Sequence, residues 1–323
     1  MGAYITRRLI QLVLMLFALI VLLFIIFRLL PGNPASMVLG PAMTPESIAA
    51  QKRLFGLDKP LTLQFMLYCK NLLTGHLGLS FQYRTEVMAV LAPKLLNTIV
   101  LMGAAFFLTL VVGVIGGAYV AWGKRVRSGD LAISVVLFFR SSPIFFTGMV
   151  LLTIFAYNLG IFPVGRIHTP GFRAANLFQF YFSWDFLKHL ILPAVTMMLY
   201  YLGNPFLVTR SSMLEIKGEE FIDIAKAKGI SYWQLLFKHG LRNSLLPVVT
   251  MLSIMLAYTL GGQVVLETVF SWPGMGRELV FAVKNHDYPL VQGAFFLIGC
   301  FVITGNFLID LLYAYLDPRV VYK

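Results

Sequence analysis

Acidic residues are scarce in this chain. Fourteen Asp and Glu stand against 26 Lys and Arg, and charged residues of both signs make up 12% of 323 positions. Beside 59% hydrophobic residues and a mean hydropathy of +0.80, so little charge excludes an ordinary soluble domain. The net charge of +12 would suit nucleic acid if it were gathered on one basic domain. Here the cations sit between apolar runs, where membrane topology accounts for them, so nucleic acid is set aside as a partner. Cysteine is nearly absent too. Cys69 and Cys300 have neither a nearby partner nor metal-ligand spacing, which argues against a disulfide framework or a zinc site. The phosphate loop G-x-x-x-x-G-K-[ST] is missing, as are H-E-x-x-H, C-x-x-C and G-x-S-x-G. His76, His168, His189, His239 and His286 fall in different loops and read as surface histidines. Proton-coupled carriers usually hold acids deep in their spans. Glu267 and Asp310 instead lie close to predicted span ends, where they are cheap to solvate. No repeated hydropathy unit suggests an inverted-repeat carrier. The expectation is a chain with no catalytic, cofactor-binding or metal-binding residues of its own.

What the chain has is long apolar runs. Leu9 to Leu30 is about the ~20 residues needed to cross a bilayer. It is longer than a signal-peptide core and is followed by PGNP rather than a small-x-small cleavage site, so it is read as a retained first helix. Arg28 near its far end can snorkel to the interface. Five further spans are expected at about 97–122, 131–158, 188–209, 243–268 and 289–316, using the same length rule. The intended fold is therefore an all-α membrane protein with six transmembrane helices. Residues 1–30 form a tail and first span, and 31–96 an extracytoplasmic segment. Residues 97–316 form a five-helix core holding a cytoplasmic loop at 210–242, and 317–323 a tail. Within the outer segment, Thr44-Pro45 starts one helix and Gly56 stops it, and a second helix runs from Leu61 to Leu73; together they make a small cap. Six crossings put both termini on one side. The positive-inside rule puts that side in the cytoplasm: Arg7, Arg8, Lys124, Arg125, Arg127, Arg210, Lys217, Lys226, Lys228, Lys238, Arg242, Arg319 and Lys323 fall there. The short outer loops hold Arg166, Arg173, Lys188, Arg277 and Lys284. The segment with Phe162, Pro163, Tyr181 and Trp184 reads as an interfacial belt.

The stretch from Gly218 to Pro247 is a polar, lysine-rich island between two spans. It reads as two short helices joined at a glycine. The first covers Glu219 to Lys228, with Phe221, Ile224, Ala225 and Lys228 on one face. Gly229 occupies the place of a left-handed cap. Ser231 opens the second helix, with Gln234 three residues on in the capping-box arrangement. Leu235, Leu236 and Phe237 form its apolar side, and Lys238, His239 and Arg242 lie towards its end, where cations suit the helix dipole. Such a layout predicts a docking surface rather than a plain connection. Adding bulk at Gly229, as in Gly229→Leu, is expected to deform it.

One cation sits deep in a predicted span. Arg140, with Ser141 beside it, falls about ten residues into the third, near mid-depth by helix rise. A lone cation there costs at least ~2.5 kcal/mol, so it must face a partner or a water-filled path. It is either a counter-charge for an anionic substrate group or a structural pair with Asp130, Asp310 or carbonyls freed around Pro143. Arg140, Ser141, Gln263 and Glu267 make up the expected substrate path. Trp272, Pro273 and Gly274 form either an outer gate and receptor-docking surface or an ordinary interfacial turn.

Several motifs together resemble a known family. Tyr4 to Leu9 with Leu30-Pro31-Gly32-Asn33-Pro34, Phe55 to Pro60, and Gly75-His76-Leu77-Gly78-Leu79-Ser80 resemble its opening and outer segment, although His76 stands where an acid is usual. Ala225-Lys226-Ala227-Lys228-Gly229 followed by His239-Gly240-Leu241-Arg242-Asn243-Ser244-Leu245-Leu246-Pro247 resembles the EAA loop. Asp223, Ile224 and Ala225 fall at the E-A-A positions, so the Glu and the first Ala are replaced. Glu267 to Gly276 and Asp317-Pro318-Arg319 resemble two more signatures. Over essentially its whole length the chain resembles the dipeptide/oligopeptide (and nickel) permeases, in their "B" branch, of type I ATP-binding-cassette importers. The resemblance implies the MetI-like permease fold and a pore shared with a second homologous permease subunit. It also implies two ATPase subunits, which bind the ATP and Mg, an extracytoplasmic binding protein that delivers the peptide, and a place for this chain in the inner membrane. Coupling to the ATPases would rest on Glu219, Glu220, Phe221, Asp223, Ile224, Ala225, Lys226, Ala227, Lys228 and Gly229. Relatives also carry nickel chelates or oligosaccharides. A reading from a different class is a membrane protein acting alone, as a channel or scaffold, with no obligate ATPase.

Overall fold

The computed structural model describes residues 2–29, 59–123, 126–245, 247–248, 251 and 264–316. Thr44-Pro45 and Gly56, the PGNP segment, Lys124 and Arg125, Gln263, Asp317–Arg319 and much of the span expected at 243–268 lie outside the described residues. Twelve helical elements are numbered here in chain order. They are α1 (Gly2–Leu29), α2 (Leu61–Leu73), α3 (Val87–Trp122), α4 (Val126–Ser141), α5 (Ile144–Leu151, continued by a π-type turn to Asn158) and α6 (Leu177–Phe182). The rest are α7 (Trp184–Tyr201), α8 (Gly203–Lys217), α9 (Glu220–Ala227), α10 (Tyr232–Gln234, continued by a π-type segment to Leu241), α11 (Met275–Lys284) and α12 (Tyr288–Leu316). Residues 264–269 are also helical. Among the described residues the extended pairing is a single bridge, Leu79 with Glu86.

By length and composition, Tyr4–Arg28, Val87–Trp122 and Tyr288–Leu312 are each able to cross a membrane. Two more expected spans are bent. Gly129–Ser141 and Ile144–Asn158 meet at 106°, and Trp184–Tyr201 and Gly203–Lys217 at 48°. The 106° corner corrects the expectation of one straight span over 131–158. Pro143 has no N–H, disfavours a helical residue before it, and itself stands extended at φ −59°, ψ 133°. The helix keeps its bonding up to that point: the Phe138 carbonyl accepts from the Ser142 N–H (3.0 Å), and also from Ser141 Oγ (3.0 Å) and Ser142 Oγ (2.8 Å).

Chain contacts divide the protein into two units, Met1–Thr98 with Gly274–Phe307 and Ile99–Pro273 with Leu308–Lys323. In the first, Val87 and Leu91 of α3 pack with Met275 and Ala282 of α11 and with Leu290, Val291 and Ala294 of α12. Leu19 of α1 fills the space a side chain at Gly299 would need. Asp287 is fully buried at the head of α12. Its Oδ1 accepts from the Leu290 N–H, and its Oδ2 from Ser80 Oγ and the Gln82 N–H, tying the 74–86 loop to that helix. Lys94 Nζ meets Glu278 Oε2 at 2.7 Å. Burial, a hydrogen bond to Glu278 and the negative charges of Glu278 and Asp287 push the nearby Tyr83 phenol up to about 12.

In the second unit, glycines let α3 and α8 approach closely. A Cβ at Gly113 would sit 2.7 Å from Pro205 Cγ, and one at Gly117 would run into the Phe206 carbonyl oxygen. Gly113 and Gly117 are four apart, so both lie on one stripe of α3. Lys217 at the end of α8 donates to the Ala121 and Trp122 carbonyls at 3.1 and 3.3 Å, satisfying the free end of α3.

Candidate functional site: the polar elbow

The elbow is built outward from that α3–α8 contact. Ala118, Ala121, Trp122 and Met213 supply a buried floor, and Ile222, Ala225, Leu235 and Leu236 pack onto it. The side of α9 that faces inward is therefore Ile222 and Ala225, at 0% and 6% exposure. Phe221 and Ile224 are 40% and 55% exposed. This corrects the expected face: the sequence grouped Phe221, Ile224, Ala225 and Lys228, and the true stripe is turned by about one residue. Both i, i+3 sets are apolar, and only contact with Trp122 and Met213 decides between them.

The C-terminal end of α9 closes at Gly229 as the sequence indicates, while its N-terminal end has no side-chain cap. Glu219 is its extended N-cap residue and Lys228 its C-cap. Gly229 has φ +75°, its N–H donates to the Lys226 carbonyl at 2.9 Å, and the Ile230 N–H donates to Ala225 at 3.2 Å. That is a Schellman closure, with Ile230 then packing on the elbow core. Nothing lies within 4 Å of a Cβ placed on Gly229. The glycine is required by its torsion, and bulk alone would meet open space. Ser231 Oγ accepts from the Gln234 N–H at 3.4 Å. Beyond it, Phe237 is exposed and stacks on Trp233, centroids 5.9 Å apart, so it does not join the buried side expected of it. Gly240 presses on Met213 and Trp122, each 3.0 Å from a Cβ placed there.

The elbow thus turns one apolar face into the protein and offers a second outward. Phe221, Ile224, Tyr232, Trp233 and Phe237 are all exposed, fringed by Glu219, Glu220, Asp223, Lys226 and Lys228. Lys226 and Asp223 pair at 2.8 Å in the open. The sequence reading missed Tyr232 and Trp233, whose large side chains just after an N-cap serine were the available signal.

The other expected sites are placed differently. Arg140 lies in the last turn of α4, exposed, with its stem across Gly203 at the α7–α8 bend; a Cβ there would be 2.7 Å from Arg140 Cδ. Its mid-depth placement assumed a straight helix, which the corner at Pro143 removes. Among the described residues Arg140 makes no ion pair with Asp130 or Asp310. Glu267 is fully buried, against the expectation of easy solvation. Trp272 is also fully buried, its ring 5.9 Å from Phe186, so it presents no surface itself. Helical residues 264–269 end in a second Schellman closure, with Ser271 at φ +48° and the Trp272 N–H donating to Glu267 at 2.7 Å.

Family comparison agrees with this architecture. Residues 110–322 match the family of binding-protein-dependent transport system inner membrane components, and residues 1–102 match its N-terminal membrane component. The chain belongs to this family and is an all-α inner-membrane permease of a transport system that also comprises an ATPase and a binding protein. It is 35% identical, over the full length of both chains, to the dipeptide transport system permease protein DppB of Alkalihalophilus pseudofirmus. It is 37% identical, again over both full lengths, to a probable peptide ABC transporter permease, y4tP, of Sinorhizobium fredii. The glutathione transport system permease protein GsiC of Escherichia coli K12 is 33% identical over 99% of each chain.

Proposed function

We propose that this chain is one of two homologous permease subunits forming the pore of a peptide importer, driven by two ATPase subunits docked under its elbow. The observation that carries the reading is the two-faced elbow. Its inner side is locked on α3 and α8 by Ile222 and Ala225, while its outer side leaves Phe221 and Ile224 bare. A push on the outer side therefore passes to two membrane helices. Exposed apolar and aromatic groups with a charged rim suit a protein partner. The peptide substrate is supported by the relatives named for dipeptide, peptide and glutathione transport.

In this reading the chain crosses the membrane six times, with residues 243–268 as the fifth span and both termini in the cytoplasm. ATP and Mg are held by the ATPases, and this chain contributes no cofactor site or catalytic group. Glu219–Gly229 transmits their closure. Arg140 and Ser141 face the substrate path, and the turn at Trp272–Gly274 fixes the outer loops rather than touching the receptor through Trp272. Gentle detergent purification from the native host, followed by mass spectrometry, tests the assembly. A second permease with two ATPases bearing phosphate loops supports it. A stable homo-oligomer free of ATPase would overturn it.

A further inference from the structure

The loop between α5 and α6 closes over a cleft of about 370 Å³ that the elbow mechanism does not use. Its walls include Val164, Arg166, His168, His189 and Ser271. Two of the described non-glycine residues with positive φ meet at this cleft, Arg166 at +70° and Ser271 at +48°. They are held there by the Arg166 N–H donating to the Phe270 carbonyl at 3.0 Å. Gly165 makes the approach possible, since a Cβ on it would be 2.7 Å from the same oxygen. Each such torsion costs stability and persists only where the surroundings impose it.

The charge in this cleft is unbalanced. Asp185 is the acid beside it, and it is fully engaged. It accepts from the Thr169 N–H (3.0 Å), Thr169 Oγ1 and His168 Nδ1 (3.0 Å), with His189 Nδ1 4.0 Å away. Arg166 is exposed, and its guanidinium makes no hydrogen bond or ion pair among the described residues. The His168 side chain is 8% exposed, stacked on Phe172 at 4.2 Å. A carboxylate only accepts, so Nδ1 donates to Asp185; in the neutral ring Nε2 is then an acceptor, and it is buried without a hydrogen-bond partner. A peptide C-terminus carries the complement of both: a carboxylate for the guanidinium and, on the same α-carbon, an amide N–H for an imidazole acceptor. Pro163, Val164 and Pro170 offer an apolar wall for the last side chain.

We infer that this cleft is a binding site for the C-terminal carboxylate of the transported peptide, with Arg166 as its specificity residue. The inference rests on the peptide-importer reading, which puts this loop outside. The assembled transporter in proteoliposomes, given saturating binding protein, would be assayed for ATP-driven uptake of a leucine-terminated tripeptide and of its C-terminal amide. Arg166→Gln should cut uptake of the free acid about tenfold, the usual worth of a charge-assisted contact, and leave the amide's uptake as in wild type. Arg166→Lys should fall between. Equal loss for both peptides would overturn the site in favour of a receptor contact or a folding role, which thermal melting of the complex would separate. No loss for either would overturn it outright. If wild type moves neither peptide in an ATP-dependent way, the importer reading fails, and the inference with it.

Discussion

Replacing Gly229 separates conformation from bulk at the point where the account is most exposed. The residue sits at φ +75° with open space around the missing Cβ. A side chain there meets no clash, and its cost is the left-handed backbone, about 1–2 kcal/mol for an ordinary L-residue. Asparagine tolerates that region and β-branched residues tolerate it least. A penalty of 1–2 kcal/mol shifts the closed elbow against its opened form by a factor of about 5–30. The spans gain nothing and lose nothing by it, so the complex should assemble. ATP-driven uptake per assembled complex should therefore rank Gly229→Asn above Gly229→Ala and Gly229→Leu together, with Gly229→Val lowest. Full activity for alanine and valine would refute the requirement for this cap. Full activity for alanine with none for leucine would show that bulk at a contact surface, rather than backbone torsion, is what matters.

Other perturbations test the packing. Ile222→Ala opens the elbow core and should cost about 2–5 kcal/mol, read as a lower melting temperature of the complex, whereas Ile224→Ala should leave melting unchanged and weaken ATPase retention. Asp287→Ala strands the Ser80, Gln82 and Leu290 donors and should cost on the order of 3 kcal/mol, seen as early melting and as faster proteolysis within residues 74–86. Gly117→Ala drives a methyl into the Phe206 carbonyl and should cost about 1–3 kcal/mol, measured by melting in the same detergent.

The elbow was legible in the sequence because its signals are local. A glycine at a helix end and Ser231 three before Gln234 each fix a cap within one turn, and both are found. The choice of face was not local. Phe221-Ile222-Asp223-Ile224-Ala225 carries apolar residues on two adjacent stripes, and Trp122 and Met213, far away in the chain, select Ile222. The same limit explains Arg140. Hydropathy over 131–158 shows one long apolar run, yet Pro143 turns it through 106°, so depth counted along a straight helix misplaces the residue. Glu267 and Trp272 look like surface groups beside a turn, yet both are fully buried, Trp272 with its ring against Phe186. The Asp185–His168–Thr169 cluster joins residues 16 and 17 apart without a motif, and no spacing rule announces it.

The claim that the outward face of α9 receives the ATPase is tested most directly by cross-linking. With Cys69 and Cys300 replaced by serine, single cysteines at Ile224, Phe221 and Trp233 would carry a short photoactivatable cross-linker in the assembled transporter. Efficient cross-links from these positions to the ATPase, with almost none from Ile222 or from Arg173, are the predicted result. Cross-links from Ile222 matching those from Ile224, or ATPase captured from Arg173 and not from the elbow, would contradict the account.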